Sequence, residues 1–119
     1  MRNENLKDRT KKFALRVIRL KEALPKGRTA DIIGKQLLRS GTSVGANYRA
    51  ACRARSTADF IAKMGIVEEE TDESIYWMEL LIETSLMNQE RLDELIKEAN
   101  EILAIVVSSI KTSKTRKVK

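Results

Sequence analysis

Residues 37–51 read "LLRSGTSVGANYRAA", two glycines among Ser and Thr with arginines on both sides, the residue types from which a phosphate-holding loop is built. A loop of that kind follows a buried strand and ends in Lys and then Ser or Thr, so that backbone N–H groups surround the phosphates. Here the run ends in Asn47 and follows the helix-patterned "DIIGKQLLRS", so the loop reading fails. Read as a helix, the same residues separate onto two faces. At about 100° per residue, Ile33, Leu37, Leu38, Gly41, Val44, Gly45, Tyr48, Ala51 and Cys52 share one broad face. On it Gly41 and Gly45 let another helix approach closely, at about 1 kcal/mol of helix propensity each. Lys35, Arg39, Arg49 and Arg53 line up with Thr42 and Ala46 on the opposite side. Such a track neutralises backbone phosphates without reading bases, which gives salt-dependent binding. The alternative is that these cations pair with carboxylates of a third helix, in the same subunit or the next. Lys12, Arg16 and Arg19 from the first helix extend the candidate surface.

The charge of the whole chain supports that choice of surface. It is +6 over 119 residues, but unevenly spread. Met1 to Arg28 holds ten Lys/Arg against three Asp/Glu, and Thr29 to Arg55 five against one, whereas Ser56 to Met87 holds one against eight. Asymmetry of this kind suits a polyanion partner, or basic and acidic faces that meet between subunits.

Other chemistries find less support. With no His and a single Cys, the usual zinc sites, di-iron bundle motifs and catalytic triads lack their commonest ligand or base. The acidic run Glu68–Glu73 spreads around a helix as a solvated arc or as the partner of a basic face, so no metal and no cofactor are expected, and no enzyme activity. Cys52, among small residues, is expected to be a buried, inert thiol. Asn47 is expected to be a buried polar contact that fixes helix register. Trp77, and Tyr48 with it, sits at core spacing and is read as packing rather than as a base-stacking platform.

These residues need helices to position them, and helices are what the pattern predicts. One Pro, five Gly and no run of alternating β-branched residues point to an all-α chain. A first helix is expected from about Leu6 to Leu24, ending at "LPKGRT" where Pro25 and Gly27 allow a reversal. A second, capped by Thr29 or Asp31, is expected to reach about Ala54. Ser56 with Asp59 has the spacing of a capping pair and opens the third. Asn88, between Met87 and Leu92, opens the fourth, whose periodicity is lost in "KTSKTRKVK". The expected architecture is an antiparallel up-down four-helix bundle over residues 1–112, with a disordered basic tail at 113–119. About two thirds of the unfolded surface is buried in a domain of this length. No apolar run approaches the roughly 20 residues of a membrane span, so a soluble cytoplasmic protein without a membrane partner is expected.

At "LLRSGTSVGANYRAACRARSTADFI", continuing through "ESIYWMELL", the sequence resembles the four-helix-bundle family encoded by intervening sequences in bacterial 23S ribosomal RNA genes. A related branch comprises the accessory variability proteins of diversity-generating retroelements. The distinctive positions fall on Arg39, Ser40, Ser43, Val44, Gly45, Asn47, Tyr48 and Arg49, then on Ser56, Asp59, Phe60, Glu73 and Trp77. The resemblance implies a homopentamer with a basic surface that contacts nucleic acid. The expected function is therefore a non-enzymatic oligomeric bundle that binds RNA or DNA. The alternative is a protein-interaction scaffold whose basic stripe serves subunit pairing.

Overall fold

The computed structural model describes residues 6–118, with side-chain surroundings for residues 6–116. Among these residues there are four helices and no strand: α1 (Leu6–Glu22), α2 (Arg28–Cys52), α3 (Thr57–Glu83) and α4 (Gln89–Val118). Each helix packs on its neighbour in sequence, and α1 also touches α4. Neighbours run antiparallel. Gly34, Gly41 and Gly45 of α2 meet Lys21, Val17 and Thr10 in descending order along α1, and Arg9 reaches across to Glu98 and Glu101 of α4. The arrangement is of the four-helix-bundle kind, drawn out to 52 × 22 × 21 Å.

The core follows the apolar stripes. Phe13 and Val17 of α1, Leu37 and Val44 of α2, Met64, Val67, Met78 and Leu81 of α3, and Leu92, Ile102 and Val106 of α4 are all but excluded from solvent. Four polar side chains join them, Thr10, Ser40, Thr71 and Ser74. Each makes a hydrogen bond, as burial of a hydroxyl demands: Ser74 Oγ, for example, lies 2.9 Å from Ser40 Oγ across the α2–α3 seam.

Helix starts differ in how far the sequence anticipates them. Ser56 caps α3 as its spacing suggests, accepting the Asp59 N–H at 3.0 Å. The Asp59 carboxylate accepts the Arg55 N–H at 3.1 Å, one residue further back than a standard capping box. At α2 neither Thr29 nor Asp31 is the cap. The helix starts at Arg28 behind Gly27, whose φ of 146° suits a residue without Cβ. Asp31 lies instead in the first turn, where a carboxylate suits the helix dipole, 3.1 Å from Lys35 Nζ and 3.8 Å from Lys21 Nζ.

The largest departure lies at the other end. α4 runs on to Val118, so the segment expected to be a disordered tail from residue 113 continues the helix, and Lys119 lies outside the described residues. Loss of apolar periodicity ends packing, not helix. Adding a residue to an existing helix costs little, Lys and Arg are good helix formers, and cations are favoured in the last turn. Thr115 Oγ1 adds a 3.0 Å bond to the Lys111 carbonyl.

Candidate nucleic-acid interface

The cations of the α2 stripe have different surroundings. Arg39 is engaged by α3: its Nη1 lies 3.1 Å from Glu70 Oε1, and its Nη2 donates to Glu73 Oε2. The same Glu73 oxygen accepts the indole N–H of Trp77 at 3.0 Å. This pairing holds the Glu73 carboxyl below its ordinary value, through the Trp77 bond first and the Arg39 bond second, and raises Arg39 above its own. Arg39 is thus a clip between α2 and α3, the alternative left open for the stripe.

The other cations are exposed. Lys35 pairs along its own helix with Asp31, and Lys12 with Asp8 at 3.3 Å, interactions that water screens heavily. Arg49, Arg53, Arg16 and Arg19 are exposed and have no ion-pair partner among the described residues. The α1 set is also displaced: at about 100° per residue, Lys12, Arg16 and Arg19 lie well over 90° around α1 from the edge that meets α2. They form a second basic strip rather than an extension of the α2 stripe.

Where α1 and α2 meet there is an open groove of about 530 Å³ lined by Lys7, Asp8, Thr10, Lys11, Ala14, Thr42, Gly45, Ala46 and Arg49. Its form comes from small residues. A Cβ on Gly45 would sit 3.2–3.3 Å from Thr10, so the helices nearly touch beneath the groove, while Ala14 and Ala46 keep its walls low. Lys7, Lys11 and Arg49 rise on either side. Lys7 and Lys11 were not among the candidates on sequence grounds. The available signal was the pair Thr10 and Ala14, small residues four apart that line the seam opposite Gly45 and Ala46 and that Lys7 and Lys11 flank.

Residues 2–108 match the family model described as 23S rRNA-intervening sequence protein. The chain belongs to that family. A crystal structure of a protein of unknown function from the S23 ribosomal protein family of Bacteroides thetaiotaomicron is similar throughout, at 40% identity and a TM-score of 0.84. The similarity covers 89% of this chain and 98% of that one. A search of curated proteins gives no match.

In this member of the family the remaining candidates occupy defined places. Gly41 lies against Val17, where an added Cβ would come within 2.8 Å of a methyl group. Asn47 is half-buried and donates to the Ser43 carbonyl of its own helix at 2.8 Å. That bond joins successive turns of one helix, so the buried polar contact across α2 and α3 is Ser40 with Ser74 instead. Trp77 is half-buried against the core and stands edge-on to Tyr76 at 5.0 Å. Cys52 corrects an expectation: it is exposed, at the last residue of α2. Burial first, and Cys52 beside it second, push the Tyr48 hydroxyl up to about 12. The acidic run divides as well, Glu70 and Glu73 turning to Arg39 while Glu69 and Asp72 face solvent. Among the described residues no three His, Cys, Asp or Glu side chains converge as a metal site would require, and no helix is long and apolar enough to cross a membrane.

Proposed function

We propose that this protein is a non-enzymatic oligomeric bundle of the cytoplasm that binds nucleic acid, RNA in the first instance, through the basic side formed by α1 and α2. The observation that carries the reading is the convergence of Lys7, Lys11 and Arg49 on one groove, on the opposite helix pair from the exposed acids Glu69, Asp72, Glu79 and Glu83 of α3. A partition of this kind attracts a polyanion to one side and repels it from the other. Arg53 and Lys35 border the groove's helix, and Lys12, Arg16 and Arg19 offer a second strip. The family name, which refers to ribosomal RNA, and the S23 ribosomal family named for the Bacteroides relative agree with an RNA partner. The homopentamer, and a link to retroelement accessory proteins that would need a reverse transcriptase partner, rest on the resemblance of the α2–α3 segment.

The test is a titration of ribosomal RNA fragments and generic duplexes by anisotropy, from low to physiological salt. Binding that weakens steeply with salt is expected; no binding at low salt sinks the reading. Charge reversal at Arg49 and Arg53 should weaken binding while leaving the thermal midpoint nearly unchanged.

One observation favours a second reading, a protein-interaction scaffold. Arg39, in the middle of the stripe, already serves helix pairing, and its neighbours could do the same between subunits. Oligomer mass separates the two: a ring held by basic and acidic faces dissociates as ionic strength rises.

A further inference from the structure

We infer that the α1–α2 groove seats the sugar–phosphate backbone of a double helix, with Lys7, Lys11 and Arg49 as its phosphate contacts, and that the protein favours duplex over single-stranded nucleic acid. This rests on the nucleic-acid reading and adds to it the class of target.

Sequence-tolerant recognition of single strands depends on two elements, a cationic track and aromatic faces on which unpaired bases stack, each stacked base contributing about 1–3 kcal/mol. The groove has the first and lacks the second. The chain has two Phe, two Tyr and one Trp, and all stand elsewhere. Phe13 is buried in the core, Tyr48 packs half-buried against it, and Phe60 with Tyr76 and Trp77 belongs to α3. A splayed strand laid in this groove would find nothing to hold its bases.

The groove's neutral donors are also committed. Thr10 Oγ1 donates to the Lys7 carbonyl at 3.2 Å and Thr42 Oγ1 to the Leu38 carbonyl at 2.8 Å. What remains to donate is charged, the two ammonium groups and the guanidinium. Charged donors suit phosphate oxygens, and a guanidinium grips them with two parallel bonds. Lys7 and Lys11 stand one turn apart, about 6 Å along the axis of α1, with Arg49 across the groove from them. Asp8, the one carboxylate on the rim, lies 3.3 Å from the Lys12 ammonium, which offsets its repulsion. Fixed cations that see only phosphates favour the ligand with the denser charge. A duplex carries one charge per about 1.7 Å of axis against about 3.4 Å for each strand.

The experiment uses the full chain and two fluorescein-labelled RNAs of equal length, a blunt duplex and an unpaired uridine-rich strand, in anisotropy titrations at several salt concentrations. The duplex is expected to bind severalfold tighter, in the direction set by its denser phosphate charge. Lys7→Ala, Lys11→Ala and Arg49→Ala should each lower the slope of log affinity against log salt by about one for the duplex, with circular dichroism confirming that each variant folds. Single-strand binding as tight as duplex binding overturns the inference and leaves the nucleic-acid reading standing. Duplex preference with slopes unchanged in all three variants overturns the groove assignment. No binding of either RNA at low salt overturns the underlying reading itself.

Discussion

The guanidinium of Arg39 on α2 is joined to the carboxylate of Glu73 on α3, through the oxygen that also accepts the indole N–H of Trp77. Seen from the sequence, Arg39 belongs to the same exposed stripe as Arg49; in the fold Arg39 is paired with α3, whereas Arg49 has no ion-pair partner among the described residues. Arg39→Gln is expected to lower stability by about 0.5–1 kcal/mol, the range for a pair that water partly screens, and to shift Trp77 fluorescence. Its affinity for RNA should change less than about twofold. Arg49→Gln should do the reverse, weakening RNA binding severalfold with the midpoint of urea unfolding nearly unchanged. Equal loss of affinity in both variants would return Arg39 to the binding surface.

The same cluster sets an acid limb of stability. Glu73 is held below its ordinary value of 4.5 in the folded protein, by Trp77 first and Arg39 second. A carboxyl with a depressed folded value contributes stability that is complete above its unfolded value and is lost as pH falls through the folded one. Asp59 acts in the same direction, lowered by Lys63 and then by the Arg55 N–H. Wild type should therefore be more stable than Glu73→Gln at neutral pH, and the gap should close as pH falls below the ordinary carboxyl value of 4.5 and through the depressed folded one. Urea midpoints followed by Trp77 emission measure this; a gap that stays constant would remove Glu73 from the acid limb.

Much of the scaffold was legible because four apolar stripes repeat at helical spacing, and because Ser56, Pro25 and Gly27 mark the breaks. The end of α4 was not, since periodicity reports packing while the helix can outlast it. In the site, the glycine face could be read because it depends only on angle around one helix. Which cation on the other face is free could not, because Arg39 and Arg49 differ in what α3 places beside them, and that depends on how two helices are paired. Lys7 and Lys11 were missed for a related reason. In "LKDRTKKFA" they are two cations among four, and only the seating of Thr10 against Gly45 turns them toward Arg49.

Cys52 gives a chemical check on where α2 stops. The side chain is exposed beyond the last buried residue of the helix, Ala51. The folded protein should consume one equivalent of a thiol reagent such as Ellman's reagent without denaturant, at a rate close to that of the urea-unfolded chain. Cys52→Ser should abolish the reaction and leave the unfolding free energy within about 0.5 kcal/mol of wild type, as for a surface change. Protection of the thiol until the protein unfolds would instead place it in an interface or in the core.

Two glycines predict opposite outcomes for the same substitution. Gly→Ala inside a helix gains about 0.5–1 kcal/mol from propensity alone, so the sign of the net effect depends on whether the new methyl has room. At Gly65 it meets nothing within 4 Å, and Gly65→Ala should stabilise the protein by about that amount. At Gly41 it would lie 2.8 and 2.9 Å from the two methyl groups of Val17. Val17 is fully buried and β-branched, so its rotamer cannot swing away, and overpacking of this kind costs about 1–3 kcal/mol. Gly41→Ala should therefore destabilise despite its helix propensity. Combining it with Val17→Ala supplies the missing space, so the double variant should lose less than the sum of the two singles, a coupling of at least about 0.5 kcal/mol in a double-mutant cycle. Additive losses would mean that Gly41 matters through α2 alone, and not through the close approach of α1 that forms the floor of the basic groove.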